Sequence, residues 1–147
     1  MRIGDVMSLN LIRVRLNASL RDAAEIMSAT QVSDLMVVDD QNNFLGVLSE
    51  GDVIRALLPN YDDLIRDGIN FTEAYQIFLN NGRALRNDKI DKLIIRDPIT
   101  LDKDDQLLKA ASTMISRYIH RLPVVDNGKL VGTVSRGDLC RAVLTGS

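Results

Sequence analysis

Gly46-Val47-Leu48-Ser49-Glu50-Gly51-Asp52 is a stretch that returns 86 residues later as Gly132-Thr133-Val134-Ser135-Arg136-Gly137-Asp138. Upstream, Val37-Val38-Asp39 matches Val124-Val125-Asp126 at an offset of 87 residues. The one-residue difference falls in a polar turn, and loops absorb such insertions at little cost. The repetition therefore indicates a duplicated fold unit.

Each copy predicts the order strand, helix, strand, strand, helix. In the first copy, Ser19 is a candidate N-cap for a helix over 20–30, whose apolar residues share one face. The β-rich runs 35–38 and 44–48, joined by a polar turn, predict an antiparallel hairpin. In the second copy the hairpin turns at Asn127-Gly128, which favours a type I′ turn because both central residues need positive φ.

The predicted fold class is α/β (α+β). A three-stranded sheet with two helices on one face leaves its other face bare, and a unit of roughly 55 residues buries little core alone. We therefore expect two β-α-β-β-α repeats packed through their sheets with pseudo-twofold symmetry. The predicted boundaries are residues 1–58 for the first repeat, 59–89 for a helical linker and 90–147 for the second repeat.

The linker contains most of the aromatic residues. Phe71, Tyr75 and Phe78 stand at i, i+4 and i+7, one face of a helix that we expect to end at Asn80-Asn81-Gly82, and Tyr61 precedes them. A helical apolar stripe usually packs against a core. The alternative is a subunit contact, because aromatic residues concentrate at interfaces.

Composition excludes several function classes. The net charge of −2 gives no general attraction to nucleic acid or to an anionic membrane. No apolar run approaches the ~20 residues that cross a bilayer, so we expect a cytoplasmic protein. Cys140 lies in an apolar rhythm and is predicted to be a small buried side chain. His120 has no partners for a metal or catalytic site, and no metal is expected.

The repeated motif has two interpretations. Ser49 with Asp52, and Ser135 with Asp138, fit helix N-caps with an acidic third helical residue, which needs no ligand. Alternatively, the N–H groups of a helix N-terminus bind an anion, and a carboxylate accepts the hydroxyls of a ribose. Together these groups suit a nucleoside phosphate.

The pattern Gly-hydrophobic-x-Ser/Thr-x-x-Asp, closing a β-α-β-β-α unit twice, resembles a tandem pair of CBS domains, named for cystathionine β-synthase and also called a Bateman module. The resemblance covers about residues 1–58 and 90–145. It implies ligand clefts between the repeats that sense AMP, ADP or ATP, with S-adenosylmethionine, NAD or a cyclic dinucleotide as alternatives and no required cofactor. It also implies a homodimer. We expect this module to regulate another, unidentified protein and not to be an enzyme.

The resemblance also implies binding residues by motif position. Asp52 and Asp138 would hold ribose hydroxyls, and Ser49 and Ser135 would contact ribose or phosphate. The remaining residues would frame the base or meet the phosphate. The site assigned to the second repeat comprises Ile99, Thr100, His120, Arg121, Leu122, Pro123, Ser135, Arg136 and Asp138. The site assigned to the first repeat comprises Ile12, Arg13, Leu35, Met36, Ser49 and Asp52.

The two predicted sites differ in charge. His120, Arg121 and Arg136 stand where the first repeat has Ser33, Asp34 and Glu50. Since arginine holds phosphate by bidentate hydrogen bonds, we expect the site centred on Asp138 to bind a nucleotide better. Met36, in place of the proline found at 123, further disfavours the first site, although a basic group such as Arg13 can serve the opposite repeat. The alternative function is a structural dimerisation module with vestigial sites.

Overall fold

The computed structural model describes residues 1–60, 62, 66 and 68–146, so the predicted contact of Tyr61 lies outside the described residues. Within this part of the chain the helices are α1 (Ile3–Val6), α2 (Leu20–Thr30), α3 (Glu50–Leu57), α4 (Phe71–Leu85), α5 (Leu107–Ser116) and α6 (Arg136–Thr145). The strands are β1 (Arg13–Arg15), β2 (Asp34–Val38), β3 (Phe44–Ser49), β4 (Ile95–Arg96), β5 (Arg121–Asp126) and β6 (Lys129–Ser135), and a 3₁₀ turn spans Ile90–Lys92.

The first repeat forms a sheet in the order β1-β2-β3-β4. β1 runs parallel to β2, whereas the β2–β3 and β3–β4 pairs are antiparallel. Helix α2 begins where the Asp22 N–H donates to Ser19 Oγ at 3.0 Å, as the sequence predicts. Its buried residues Leu20, Ala23 and Met27 belong to the first core. The helix is therefore held by the apolar stripe that its sequence shows.

The second repeat has a similar arrangement with a smaller, two-stranded sheet. β5 and β6 form an antiparallel hairpin, and Leu101 pairs with Val124 in parallel, as β1 pairs with β2. Asn127 and Gly128 have φ values of 51° and 79°, which confirms the predicted positive φ at both turn residues. The mixed α/β architecture predicted from the sequence is thus present in both halves.

The segment before the second repeat completes the first repeat, and the segment before the first repeat completes the second. Ile90 is fully buried in the first core, and its N–H donates to the Ala18 carbonyl at 3.0 Å. Strand β4 then adds a fourth strand, which the sequence does not predict, to the first sheet. Reciprocally, Ile3 is fully buried in the second core, and its N–H donates to the Asp105 carbonyl at 2.9 Å. We call residues 1–8 and 89–96 the exchanged arms.

The glycine that opens each motif lies where an exchanged arm pairs with the strand that carries the glycine. A Cβ on Gly132 would stand 2.6 Å from Met7 Sδ and 3.2 Å from the Ser8 carbonyl oxygen. A Cβ on Gly46 would collide with the backbone carbonyl of Ile95. The two glycines therefore permit the close backbone approach that the arms require.

The two sheets meet through the faces that the helices leave bare. A buried cluster between the repeats includes Met36 and Leu130, with Phe44 packed against it. The hairpin tips also bond: the Phe44 N–H donates to the Gly128 carbonyl at 2.8 Å, and Asn42 Nδ2 donates to the Leu130 carbonyl at 2.8 Å. Packing through the sheets, predicted from the bare faces, is thus what the structure has.

Helix α4 differs from its prediction in length and in the face it buries. It continues to Leu85 and does not end at 80–82, because Leu85 packs against the first core. Phe71 and Tyr75 are 88% and 57% exposed, so the prediction that the aromatic stripe faces the core is wrong for these two rings, whereas Phe78 is half-buried. The contact with the first repeat uses another side of the helix, where Asn81 Nδ2 donates to the Leu57 carbonyl at 2.8 Å.

Cys140 also departs from its prediction. It is exposed on α6, because Leu139 and Ala142 are the residues that this helix turns toward the core. Among the helices of the described residues, none is both long enough and apolar enough to cross a bilayer.

Replacing Gly46 and Gly132, the glycines beside the exchanged arms, should destabilise the fold to different extents. Gly46→Ala forces a Cβ against the rigid Ile95 backbone, so we expect its free energy of unfolding to fall by about 1–3 kcal/mol, the usual cost of overpacking. Gly132→Ala should cost less, because the Met7 side chain that it meets can move. Urea denaturation measures both values.

Gly82→Ala is the matched control. Gly82 lies inside α4 with no atom within 4 Å of its added Cβ, so alanine should raise stability by about 0.5–1 kcal/mol through helix propensity. Equal stability of the Gly46→Ala protein and the wild type would contradict the close approach of the Ile95 backbone to Gly46.

Candidate functional site

In the first motif, the carboxylate of the acidic residue is bound only by side chains. Ser49 ends β3, and its Oγ accepts the Asp52 N–H at 3.1 Å, so it caps α3 as predicted. The same hydroxyl donates to Asp52 Oδ2 at 2.7 Å. Arg55 Nη2 lies 2.6 Å from Asp52 Oδ1. A ligand can replace both partners of this carboxylate without removing a backbone hydrogen bond from the helix cap.

The second motif uses its acidic residue in the cap itself. Ser135 Oγ accepts the Asp138 N–H at 3.0 Å, and Asp138 Oδ2 accepts the Ser135 N–H at 2.9 Å. This reciprocal pair is a complete capping box. Arg141 lies farther away, with Nη2 3.8 Å from Asp138 Oδ1. The capping interpretation holds for both motifs, but only Asp138 bonds the backbone through its carboxylate.

Arg136, expected near a phosphate, is engaged elsewhere. Its Nε donates to the Ile119 carbonyl at 2.9 Å, and its Nη2 donates to the Met114 carbonyl at 3.1 Å. These carbonyls belong to the last turn of α5 and the segment after it, which need donors. The guanidinium therefore fastens the end of α5 to the start of α6, a role that the sequence position alone does not suggest.

A cavity of ≈ 430 Å³ lies between the repeats. Its volume falls within the range of sites that bind small molecules. Its lining comes from both repeats and from the second exchanged arm with the residues that follow it. The lining residues are Asp34, Val47, Ser49, Arg55, Ile95, Pro98, Ile99, Arg117, Tyr118, Ile119, Arg121, Leu122 and Pro123. A second groove of ≈ 370 Å³ between α2 and α3 has Glu50 as the charged residue of its lining, which disfavours an anionic ligand there.

The cavity is lined by expected residues of both repeats. Ile99, Arg121, Leu122 and Pro123 of the second repeat line it together with Ser49 of the first, so this cavity draws on both predicted groups. The reason is that the sheets face each other, which brings the start of β5 opposite the end of β3. Thr100 and His120, their sequence neighbours, are exposed.

The other candidates from the first repeat lie apart from this cavity. Leu35 and Met36 are fully buried, and Met36 fills the space between the sheets. Arg13 is exposed and lines a separate polar cavity of ≈ 190 Å³ with Arg15. Ile12 packs at the edge of the first core.

Eight lining residues were not among the sequence-based candidates: Asp34, Val47, Arg55, Ile95, Pro98, Arg117, Tyr118 and Ile119. Arg55 carried a usable signal, because it recurs as Arg141 at the motif offset of 86. The others occupy positions at which the two repeats differ, so the repetition gives no indication of them.

Charges of the two repeats meet at Asp34. Burial is the main cause that raises the pKa of this carboxyl, and repulsion by Glu50 and Asp52 adds to it. His120 and Arg121 lower the pKa in part. His120 and Arg121, two of the basic residues expected to favour the Asp138 site, are therefore close enough to act on Asp34 of the first repeat.

The comparisons with known proteins agree with the fold. The family model described as CBS domain matches residues 3–59 and 90–145, so the chain belongs to this family. It carries the domain twice, as a tandem pair.

Two relatives are similar over almost the whole chain. The uncharacterized protein MJ1225 of Methanocaldococcus jannaschii is 30% identical over 139 residues, which are 95% of this chain and 41% of MJ1225. Its crystal structure matches with a TM-score of 0.76 at 20% identity, over 99% of this chain and 51% of that one. The chain thus spans less than half of MJ1225.

The second relative is the CBS domain-containing protein CBSX2 of Arabidopsis thaliana, 29% identical over 157 residues, with 97% of this chain and 63% of CBSX2 covered. A crystal structure of CBSX2 in complex with AMP matches with a TM-score of 0.73 at 28% identity, over 98% of this chain and 96% of that one.

Asp34→Asn should stabilise the fold in a pH-dependent way. Because the folded-state pKa lies above the ordinary value of 3.8, ionisation of Asp34 opposes folding increasingly as the pH rises from 3.8 to the raised pKa, and fully above it. The variant should therefore have a higher free energy of unfolding at pH 7, and its advantage should vanish as the pH falls to 3.8. Urea denaturation across this range measures the difference.

Asp39→Asn serves as a control of opposite sign. A hydrogen bond from the Asn43 side chain lowers the pKa of Asp39, so its carboxylate favours folding above its ordinary pKa. This variant should lose stability at pH 7. A gain for Asp34→Asn that persists unchanged at low pH would refute the electrostatic explanation.

Proposed function

We propose that this chain is a regulatory module that binds an adenine nucleotide, AMP, ADP or ATP, in the cavity between its repeats and signals to another protein. The observation that carries the proposal is the composition of this cavity, where apolar walls, arginines and the Ser49 hydroxyl, which is bonded to Asp52, converge. The similarity to CBSX2, whose structure is described as a complex with AMP, supports the same ligand class.

The apolar walls suit a nucleobase. Ile95 and Ile99 line the cavity and remain 46% and 38% exposed, so their apolar surface is open to a ligand. Pro98 and Pro123 add rigid apolar surface. In the proposed complex these side chains enclose the base, with Thr100 and His120 at its margin.

The polar side of the cavity suits a ribose and a phosphate. Asp52 would accept the ribose hydroxyls, and Ser49 would contact the ribose from the start of α3. Arg121 and Arg117 would bind the phosphate, since guanidinium groups pair with phosphate in bidentate geometry. Ser135 and Asp138 would form the weaker site, because their hydrogen bonds already complete a helix cap.

Binding would act on α3. A ribose at Asp52 competes with Arg55 and the Ser49 hydroxyl for the same carboxylate oxygens. Helix α3 in turn holds α4 through the bond between Asn81 and the Leu57 carbonyl. A ligand that favours one position of α3 would thereby shift the surface offered to the regulated protein, as differential affinity requires.

The proposed assembly is a homodimer formed on the helices of the second repeat. Leu108, Ile115, Val143 and Leu144 are 66–83% exposed on α5 and α6, and such apolar surfaces mark interaction sites. In the first repeat, Leu57 is equivalent to Val143 and is half-buried beneath α4. A second copy would supply the missing cover.

Nucleotide titration tests the proposed function. Calorimetry with AMP, ADP, ATP and S-adenosylmethionine should detect binding of an adenine nucleotide at millimolar concentration or below. Asp52→Asn should weaken it by roughly 10- to 100-fold, the cost of charged hydrogen bonds, while Asp138→Asn should change it less than threefold or so.

Three results would contradict this proposal. A wild-type protein that binds no adenine ligand would support the vestigial-site alternative, and equal losses for both aspartates would refute the inequality of the sites. Turnover of ATP in the same samples would indicate an enzyme, whereas we expect the nucleotide to remain intact.

A charge on α6 should disrupt the dimer. Val143→Glu places a carboxylate in the proposed contact, so sedimentation equilibrium should show monomer for the variant and dimer for the wild type. Asn80→Glu, on an exposed polar position of α4, is the control and should leave the dimer intact. A dimeric Val143→Glu protein, or a monomeric wild type, would contradict this assembly.

A further inference from the structure

Tyr118 has a backbone conformation that is unfavourable for a bulky side chain. It follows α5 with φ of +55°, the left-handed region that a bulky side chain rarely adopts. Its side chain is 85% exposed, so packing in a core does not compensate for the strain. It also lines the cavity between the repeats. Residues held in such conformations cluster at ligand sites.

The equivalent residue of the first repeat shows that the fold requires positive φ at this position but does not require a tyrosine. Gln31 ends α2 with φ of +57°, so the left-handed residue after the helix belongs to both repeats. Glycine or asparagine suits this position best. Gln31 at least bonds locally, since its Nε2 donates to the Ser28 carbonyl at 2.7 Å. An exposed tyrosine at this position therefore calls for another partner.

The surroundings of Tyr118 indicate what that partner is. The cavity offers Ile95, Ile99 and Pro98 on its apolar side, so a flat apolar group is the ligand part that this side fits. An aromatic ring at the rim adds a surface on which a nucleobase stacks. Arg117, the preceding residue, also lines the cavity and brings a positive charge to the same rim.

We propose that Tyr118 closes over the cavity and stacks on the base of the bound nucleotide, which makes it a contact that selects ligands with an aromatic base. This proposal rests on the proposed function and adds a specific residue to it. The strained backbone presents the ring above the cavity, and the ring becomes covered when the base is bound.

Four substitutions test the stacking. Tyr118→Ala and Tyr118→Asn should weaken AMP binding by roughly 5- to 150-fold, the range for loss of one base–aromatic stack. Tyr118→Phe and Tyr118→Trp should stay within about threefold of the wild type, because they keep an aromatic face. Tyr118→Asn should also raise the melting temperature of the free protein, since asparagine tolerates left-handed φ.

A ligand without a base separates stacking from a general effect on the cavity. Ribose 5-phosphate should bind the wild type and Tyr118→Ala with equal, weaker affinity. The chain has no tryptophan, so the emission of Tyr118→Trp reports directly on the site and should be quenched by AMP but not by ribose 5-phosphate. Gln31→Asn is the control, and it should leave AMP affinity unchanged.

The outcomes are distinguishable. If the wild type binds AMP and all four variants bind it equally well, stacking is refuted while the proposed function stands. If Tyr118→Ala weakens AMP and ribose 5-phosphate alike, the ring shapes the cavity and does not stack, which also overturns the proposal. If the wild type binds no adenine nucleotide, both the proposed function and the stacking fail.

Discussion

The reciprocal exchange of the two arms is the constraint on which the rest of the structure depends. Ile3 and Ile90 are equivalent residues. Ile3 is fully buried in the core of the second repeat, and Ile90 is fully buried in the core of the first. The arms then run alongside Gly132 and Gly46, where a side chain would collide with them. Neither repeat has a complete core or a complete sheet without the other half of the chain, so the two repeats are expected to fold as one unit.

The cavity follows from this arrangement. The sheets face each other, and the chain continues from the second arm to Ile99. The end of β3 and the start of β5 therefore line the same cavity. Asp34 and Arg121 are equivalent positions of the duplication, and they lie close enough for Arg121 to lower the pKa of Asp34. Two identical residues would bring like charges together there. Divergence of the repeats relieves that repulsion and leaves the cavity with groups of both signs.

Local features were predictable from the sequence. The caps at Ser19, Ser49 and Ser135, and the turn at Asn127-Gly128, depend on residues within four positions of one another, and the structure has each of them. The packing of the sheets also followed from counting bare faces. These features need no knowledge of long-range contacts.

Features set by distant contacts were not predictable. β4 is two residues long and has no periodicity, yet it pairs with β3 because Ile90 anchors its arm. Helix α4 passes through Gly82, because packing of Leu85 outweighs the small propensity cost of a glycine. The mixed lining of the cavity was not predictable for the same reason, since sequence proximity does not reveal which strand ends face each other.

The most direct test is a crystal structure of the protein with AMP at a saturating concentration. The exchanged-arm architecture predicts density for the nucleotide between the repeats, with the ribose at Asp52 and Ser49 and the base against Ile99 and Pro123. Density found only against Ser135 and Asp138, or a ligand contacting residues of a single repeat, would contradict it.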